Sequence, residues 1–156
     1  MVIHFICRGN AFRSLIAEAY VNSLKLENVK VFSSGTVAEQ YYESNIGSYR
    51  KTLDLLRRHG LEIYAKNHFG DQLTPERVTR KQIAVCLNTI VYDEARKICD
   101  LPQQTFVWNV IDLGEYGRVA HSDEERERYM KDVLKDIIKS ANSLVQTLAL
   151  KPQVID

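Results

Sequence analysis

The chain has 156 residues, 45% of them hydrophobic and 26% charged, which is the composition and size of one globular domain with its own core. We therefore expect a single domain over residues 1–156. Its formal net charge of +1, from 21 basic and 20 acidic residues, argues against a general polyanion binder and hence against nucleic acid as a partner. No run of about 18 apolar residues is present, so no membrane partner is expected.

The cysteines and the N-terminus indicate the compartment. The apolar start is ended at once by Arg8 and Arg13, unlike a signal peptide. Three cysteines, Cys7, Cys86 and Cys99, form an odd and sparse set rather than a disulfide framework. Reduced thiols and a cytoplasmic location follow as expectations. We expect the protein to be a monomer or a weak dimer.

Strand and helix patterns alternate along the chain. Apolar runs with β-branched members predict strands over residues 2–6, 29–32, 82–87 and 105–110, the last containing Trp108. Helical spacing or capping signals predict helices over residues 14–26, about 46–60, from 74–77, over 88–99 and from 122 to about 148. Four strands alternating with about five helices predict a three-layer α/β domain with a parallel sheet. In such sheets, ligands bind beyond the carboxyl ends of the strands.

The turn after the first predicted strand holds the densest set of reactive side chains. It reads Cys7-Arg8-Gly9-Asn10-Ala11-Phe12-Arg13-Ser14. Backbone N–H groups in such a turn can converge on one point, and the following helix N-terminus adds positive potential. Gly9 and Asn10 tolerate the positive φ angles of a tight cradle. The pattern predicts a phosphate site formed by Arg8, Gly9, Asn10, Ala11, Phe12, Arg13 and Ser14.

Cys7 lies at the base of this predicted cradle. The field that holds phosphate also stabilises a thiolate, and Ser14 can donate a hydrogen bond to the sulfur. Arg13 offers a planar fork for two phosphate oxygens. A cysteine at a strand end is more often simply buried, so the combination carries the inference. A nucleophile, a cradle and a fixed cation within eight residues suit in-line displacement at phosphorus through a phosphocysteine.

These residues resemble the low-molecular-weight protein tyrosine phosphatase family, and the resemblance covers nearly the whole chain. The family loop has the form Cys-x-Gly-Asn-x-Cys-Arg-Ser-Pro, and its helix often reads Met-Ala-Glu-Ala where this chain has Ile16-Ala17-Glu18-Ala19. Residues 33–36 and 73–76 resemble the family's segments after the second strand and before the third. The resemblance implies sheet order 2-1-3-4 and a two-step hydrolysis without metal or cofactor, acting on a phosphotyrosine protein or a small phosphomonoester.

Three positions depart from the family pattern. Phe12 stands where many members have a second loop cysteine, so their protective disulfide cannot form here. Leu15 replaces the proline after the loop serine. The family's general acid lies in an Asp-Pro pair on a late loop, and this chain has Asp112-Leu113. Asp112 is our candidate acid, and Glu115 is the fallback.

Aromatic residues on neighbouring loops predict the wall of the pocket. Tyr41, Tyr42 and Tyr116 are candidates, because aromatic walls favour a flat phosphoaryl group. Two alternatives remain open from the sequence. One is a thiol-dependent arsenate reductase that shuttles oxidation through Cys86 and Cys99. The other is a non-catalytic module that binds phosphate or a phosphoprotein, for which the Asp-Leu pair is the support.

Overall fold

A computed structural model describes residues 1–154 and gives four strands and four α-helices. The strands are β1 (Val2–Cys7), β2 (Lys30–Gly35), β3 (Ile83–Cys86) and β4 (Thr105–Val107). The helices are α1 (Arg13–Ser23), α2 (Ile46–Arg58), α3 (Thr89–Ile98) and α4 (Asp123–Thr147). Short 3-10 turns cover Glu43–Asn45, Glu62–Tyr64 and Pro75–Arg77.

The strands form one parallel sheet in the order β2-β1-β3-β4, as the family resemblance implied. Side chains of β1 alternate between two buried clusters on opposite faces of the sheet, as the period of a strand requires. Phe5 packs in the larger cluster with residues of α1, α2 and α4. Ile6 packs in the smaller one, against α3. Both faces are therefore covered, which explains why the central strands are almost wholly apolar.

Several predicted boundaries were wrong, each for a local reason. Strand β2 continues through Ser33 and Ser34, which pair in register with Phe5 and Ile6 and whose hydroxyls find buried partners. Helix α1 begins at Arg13 and ends at Ser23, and Lys25 beyond it adopts a φ of 48°. Strand β4 ends at Val107, one residue before Trp108.

The segment at residues 74–77 is a single 3-10 turn and not the start of a longer helix. The Thr74 side chain makes no capping hydrogen bond, and Val78 is already extended at φ −111° and ψ 124°. Within residues 1–154, no helix combines the length and apolar character needed to cross a bilayer.

Candidate active site

The loop between β1 and α1 lies at the carboxyl edge of the sheet, against the end of β2. The backbone N–H of Thr36 donates to the Cys7 carbonyl at 2.9 Å, and that of Val37 donates to the Arg8 carbonyl at 3.0 Å. A Cβ atom at Gly35 would lie 2.3 Å from the Arg8 carbonyl oxygen, which is closer than any side chain allows. Only glycine at position 35 lets β2 approach the loop this closely.

Cys7 is buried at the floor of the site, at 3% exposure. Its sulfur lies 3.0 Å from Ser14 Oγ and accepts a hydrogen bond from the Asn10 backbone N–H at 3.2 Å. Ser14 Oγ itself accepts from Asn10 Nδ2 at 2.9 Å, which leaves the serine proton free to point at the sulfur. Two donors therefore converge on the Cys7 sulfur.

Asn10 is wholly buried, with a φ of 49° that few residues other than glycine and asparagine adopt readily. Gly9, in contrast, does not have a positive φ. The Asn10 Oδ1 accepts from Lys66 Nζ and from the Asp71 backbone N–H, both at 2.9 Å. Lys66 also lies 2.8 Å from the Asp71 carboxylate. These contacts stabilise the left-handed turn that directs the Asn10 amide at the sulfur.

Arg13 is 1% exposed, and the contacts of its guanidinium involve the two terminal nitrogens. Nη1 donates to the Val110 carbonyl at 2.9 Å, while Nη2 lies 2.7 Å from Glu115 Oε1 and 3.5 Å from Asp112 Oδ2. Burial would lower the pKa of Arg13, but the charges of Asp112, Cys7 and Glu115 outweigh it and raise that pKa. Nε has no hydrogen-bond partner within residues 1–154, so it is a buried donor available to an anion.

Asp112 lies on the loop between β4 and α4, with its side chain 35% exposed. Its Oδ1 accepts hydrogen bonds from the Leu113 N–H at 2.8 Å and from the Tyr129 hydroxyl. Burial and the neighbouring Asp112 charge raise the pKa of Tyr129, so its hydroxyl stays a donor. The Tyr129 ring also packs against Phe12, with 5.7 Å between ring centroids. The carboxylate is thus oriented beside Arg13 while still reaching solvent.

Glu115, the fallback acid, occupies a different place. It is buried at 6% exposure, with one oxygen at Arg13 and the other accepting a hydrogen bond from Asn88 Nδ2. Oε1 is close enough to Arg13 for an ion pair but is not aligned for a hydrogen bond within residues 1–154. A carboxylate buried beside a guanidinium and away from solvent is poorly suited to exchange protons with a substrate. The geometry makes Glu115 a counter-charge of Arg13, and leaves Asp112 as the carboxylate placed for acid–base work.

A cavity of about 370 Å³ opens above Cys7. Loop residues Arg8, Gly9, Ala11, Phe12 and Arg13 line its floor, whereas Asn10 and Ser14 support it from beneath. Asp112 and Leu113 line one side. The Arg8 side chain is paired with Glu94 at 2.9 Å, so its charge is partly neutralised.

Among the three tyrosines predicted for the pocket wall, the structure places only Tyr41 at the cavity. Tyr42 stacks on Phe69, with 4.5 Å between centroids and 7° between ring planes, and is not a lining residue. Tyr116 is 67% exposed on the Asp112 loop and does not line the cavity either. Tyr129 of α4 lines the cavity and provides an aromatic surface that the sequence analysis did not include.

The sequence reasoning missed several contributors to this site. Asn88 was read only as the start of a helix, and Lys66 and Asp71 were not singled out. Lys51 and Arg126 also line the cavity, from α2 and α4. Tyr129 could have been identified as an inward-facing residue, because it lies four residues before Val133 and eight before Ile137 on the last helix. The sequence around Lys66 gives no such indication, because a polar loop does not reveal that its lysine contacts Asn10, 56 residues earlier in the chain.

The remaining cysteines lie outside the cavity. Cys86 is fully buried in β3, and burial raises the pKa of its thiol to about 12. Burial also raises the pKa of Cys99, which is partly exposed. All three cysteines are free thiols. A thiol must ionise to attack a neighbouring sulfur, so Cys86 is unsuited to relay oxidation in this conformation.

The assembled groups can perform one kind of chemistry well. A hydrogen-bonded sulfur lies at the floor of a cavity, a buried guanidinium has an N–H without a partner among residues 1–154, and the Asp112 carboxylate lies beside that guanidinium and lines the cavity. This set can bind a tetrahedral oxyanion, attack it through sulfur, and exchange a proton with the departing or entering oxygen.

Several solved structures have a similar fold. Wzb from Vibrio vulnificus in complex with benzylphosphonate is 17% identical, with TM-score 0.73 over 94% of this chain and 97% of that one. The YwlE arginine phosphatase from Geobacillus stearothermophilus is 20% identical, with TM-score 0.59 over 94% of each chain. An arsenate reductase in the phosphate binding state is 15% identical, with TM-score 0.60 over 94% and 97%. At these identities the likeness establishes the fold.

No curated protein matches the sequence significantly. The family model of the low molecular weight phosphotyrosine protein phosphatases matches residues 2–151, which is nearly the whole chain. Membership supports a cysteine-based phosphatase, and so a phosphorylated substrate, without choosing among the substrates that family members use. On this match and the sheet order, the chain belongs to the low molecular weight phosphotyrosine protein phosphatase family.

Proposed function

We propose that this protein hydrolyses aryl phosphomonoesters, with phosphotyrosine as the substrate group, through a phosphocysteine on Cys7. The observation that carries the proposal is the sulfur of Cys7 at the cavity floor, with two hydrogen-bond donors on it and the free Nε of Arg13 nearby in the loop. In the first step, sulfur attacks phosphorus and the tyrosyl oxygen leaves with a proton from Asp112. In the second step, Asp112 accepts a proton from the water that releases phosphate.

The shape and charge of the cavity support an aromatic ester over phosphoarginine. Phe12, Tyr41, Leu113 and Tyr129 contribute apolar or aromatic surface, which suits a flat ring. Lys51 and Arg126 line the same cavity and form no ion pair among the contacts of residues 1–154. These two positive charges would repel a cationic guanidino group. They would not repel a neutral tyrosyl ring, and they would attract an acidic residue beside it.

Two other functions fit the contacts less well. An arsenate reductase of the thiol-relay type needs partner cysteines that can reach the loop, whereas Cys86 is wholly buried in β3 and neither Cys86 nor Cys99 lines the cavity. A non-catalytic phosphate-binding module would not require an oriented carboxylate, yet Asp112 is fixed by the Leu113 N–H and the Tyr129 hydroxyl. The free cysteines suit a reducing compartment, as a cytoplasmic enzyme would occupy.

A panel of substrates tests the proposal directly. Purified protein should hydrolyse a phosphotyrosine peptide and nitrophenyl phosphate, act far more weakly on phosphoarginine, and leave arsenate unreduced when a thiol donor is supplied. The Cys7→Ser variant should lose both hydrolytic activities. Acid quenching during turnover should trap a phosphoryl group on Cys7, detectable by mass spectrometry of the loop peptide.

Each contrary result has a distinct meaning. Preference for phosphoarginine would retain the cysteine mechanism and reject the substrate. Phosphate binding by calorimetry without turnover of any ester would favour the binding module. Arsenate reduction that requires Cys86 or Cys99 would replace the proposal altogether.

A further inference from the structure

Glu115 links three parts of the site that are distant in sequence. One carboxylate oxygen lies 2.7 Å from Arg13 Nη2, and the other accepts a hydrogen bond from Asn88 Nδ2. Asn88 is itself fixed, because its Oδ1 caps α3 by accepting from the Val91 N–H at 3.0 Å and its Nδ2 also reaches the Val110 carbonyl at 3.2 Å. Asn88, fixed at the start of α3, therefore positions the Glu115 carboxylate, and Glu115 in turn lies against Arg13.

The same carboxylate is part of the loop that carries Asp112. The Glu115 N–H donates to the Asp112 carbonyl at 3.2 Å, and the Glu115 carbonyl accepts from the Arg118 N–H at 2.9 Å. Arg118 Nη1 then donates to the Ile111 carbonyl at 2.8 Å. These bonds make residues 111–118 one compact unit, so an anchor at Glu115 limits the movement of Asp112 as well.

Arg13 receives its orientation from this anchor. Nη1 donates a hydrogen bond to the Val110 carbonyl, and Nη2 forms an ion pair with Glu115 Oε1 without the alignment of a hydrogen bond. Nε has no hydrogen-bond partner among residues 1–154. A planar guanidinium with a hydrogen bond at one corner, an ion pair at another and 1% exposure has little room to rotate, so these contacts set the direction of the free N–H. An unpaired buried donor costs free energy, which binding of an anion would recover.

Stability gives little reason to bury this pair. Removing an arginine and a glutamate from water costs about as much as their attraction returns, and buried ion pairs are often no better than apolar packing. The chain also lacks the proline that restrains the loop after the family's acid, since Leu113 follows Asp112. We propose that Glu115 is a positioning residue that fixes the guanidinium of Arg13 and holds the Asp112 loop against it. This role rests on the proposed phosphatase function.

The change in affinity for inorganic phosphate tests whether Glu115 fixes Arg13, because a positioning role and a simple charge effect predict changes in opposite directions. Glu115→Gln removes a negative charge beside an anion site, and Coulomb attraction alone would make phosphate bind more tightly. A positioning role predicts the opposite, because a loosened guanidinium loses a charge-assisted hydrogen bond. We expect calorimetry to show phosphate binding weakened about tenfold. Unchanged or tighter binding would overturn the inference, and this readout does not require turnover.

Two substrates with different leaving groups test whether Glu115 also holds the Asp112 loop. If Glu115 holds Asp112 in place, kcat of Glu115→Gln should fall about tenfold or more for phosphotyrosine, and less for nitrophenyl phosphate, whose leaving group needs less protonation. An equal loss on both esters would overturn the link to Asp112. Failure of the wild type to hydrolyse either ester would instead reject the proposed function, while the phosphate titration still decides the Arg13 part.

Two further variants guard against misfolding and general charge effects. Asn88→Ser keeps a side-chain oxygen that can cap α3 and adds no charge, but it removes the Nδ2 donor to Glu115, so it should reproduce both signatures. Glu62→Gln breaks an ion pair of similar length with Arg57 on the exposed surface, 2.8 Å between Oε1 and Nη2, and should change neither readout. Circular dichroism and thermal unfolding should confirm that the variants fold. Wild-type behaviour of folded Asn88→Ser in both assays would contradict the inference.

Discussion

Replacing Asp112 by asparagine should separate substrates according to their leaving groups. The Asp112 Oδ1 accepts from the Leu113 N–H at 2.8 Å and from the Tyr129 hydroxyl, and asparagine retains an oxygen for both donors. The 3.5 Å contact between Asp112 Oδ2 and Arg13 is lost, but Glu115 still holds the guanidinium at 2.7 Å. The substitution therefore removes the proton donor while the loop keeps its main contacts.

The expected size follows from what the proton does. General acid catalysis contributes roughly 10²–10⁴ in rate, which is about 2.7–5.4 kcal/mol of barrier. A tyrosyl oxygen is a poor leaving group and needs that proton, whereas a nitrophenolate departs with little help. For Asp112→Asn, kcat for a phosphotyrosine peptide should fall by about 10² or more. The loss for nitrophenyl phosphate should stay below about tenfold.

Steady-state rates on both esters, measured from about pH 4.5 to 8, decide the question. If Asp112 supplies the proton, the rate on phosphotyrosine should depend less on pH in the variant than in the wild type. Asp132→Asn, on the exposed side of α4, is the matched control and should behave as wild type. An equal loss on the two esters would refute the acid role and leave Asp112 as a counter-charge of Arg13.

Three other predictions concern the thiols, the loop support and acid stability. Cys7→Ser should abolish hydrolysis, while Cys86→Ser and Cys99→Ser should retain most of it, and loss in a folded Cys86 variant would contradict this. In Gly35→Ala the new Cβ would lie 2.3 Å from the Arg8 carbonyl oxygen and 2.8 Å from the Asn10 nitrogen, both backbone atoms, so activity should fall at least about tenfold with a stability loss of roughly 1–3 kcal/mol. Gly47→Ala meets nothing within 4 Å and should retain activity in the same assay and in urea unfolding. Burial, aided by the charges of Arg77 and Lys66, lowers the pKa of His4 from 6.5 to about 3, so the unfolded chain binds the extra proton between these values and stability falls as pH drops. The loss from pH 7 to pH 5 should be roughly 2 kcal/mol by urea unfolding, and an equally steep loss in His4→Gln would show that another group titrates.

The order of elements and the reactive loop could be predicted because their signals are local. A mainly apolar run, a polar turn and a helical pattern follow one another directly in the sequence. They place Cys7 at a strand end and Arg13 at a helix start without knowledge of any distant contact. The sheet order came from the family resemblance and was confirmed. Boundaries were less certain, as β2 shows, because Ser33 and Ser34 look like turn residues until their hydroxyls find buried partners.

Only the tertiary structure decided which distant residues complete the site. Val110 lies 97 residues from Arg13 along the chain, and Lys66 lies 56 residues from Asn10, yet each pair is in hydrogen-bond contact. The assignment of Glu115 to a buried ion pair, and of Tyr42 to a stack on Phe69, likewise depends on which surfaces the fold brings together. Sequence patterns report the burial and period of a segment. The partner of a polar side chain is set by packing between segments, because a hydrogen bond depends on position in space and not on separation along the chain.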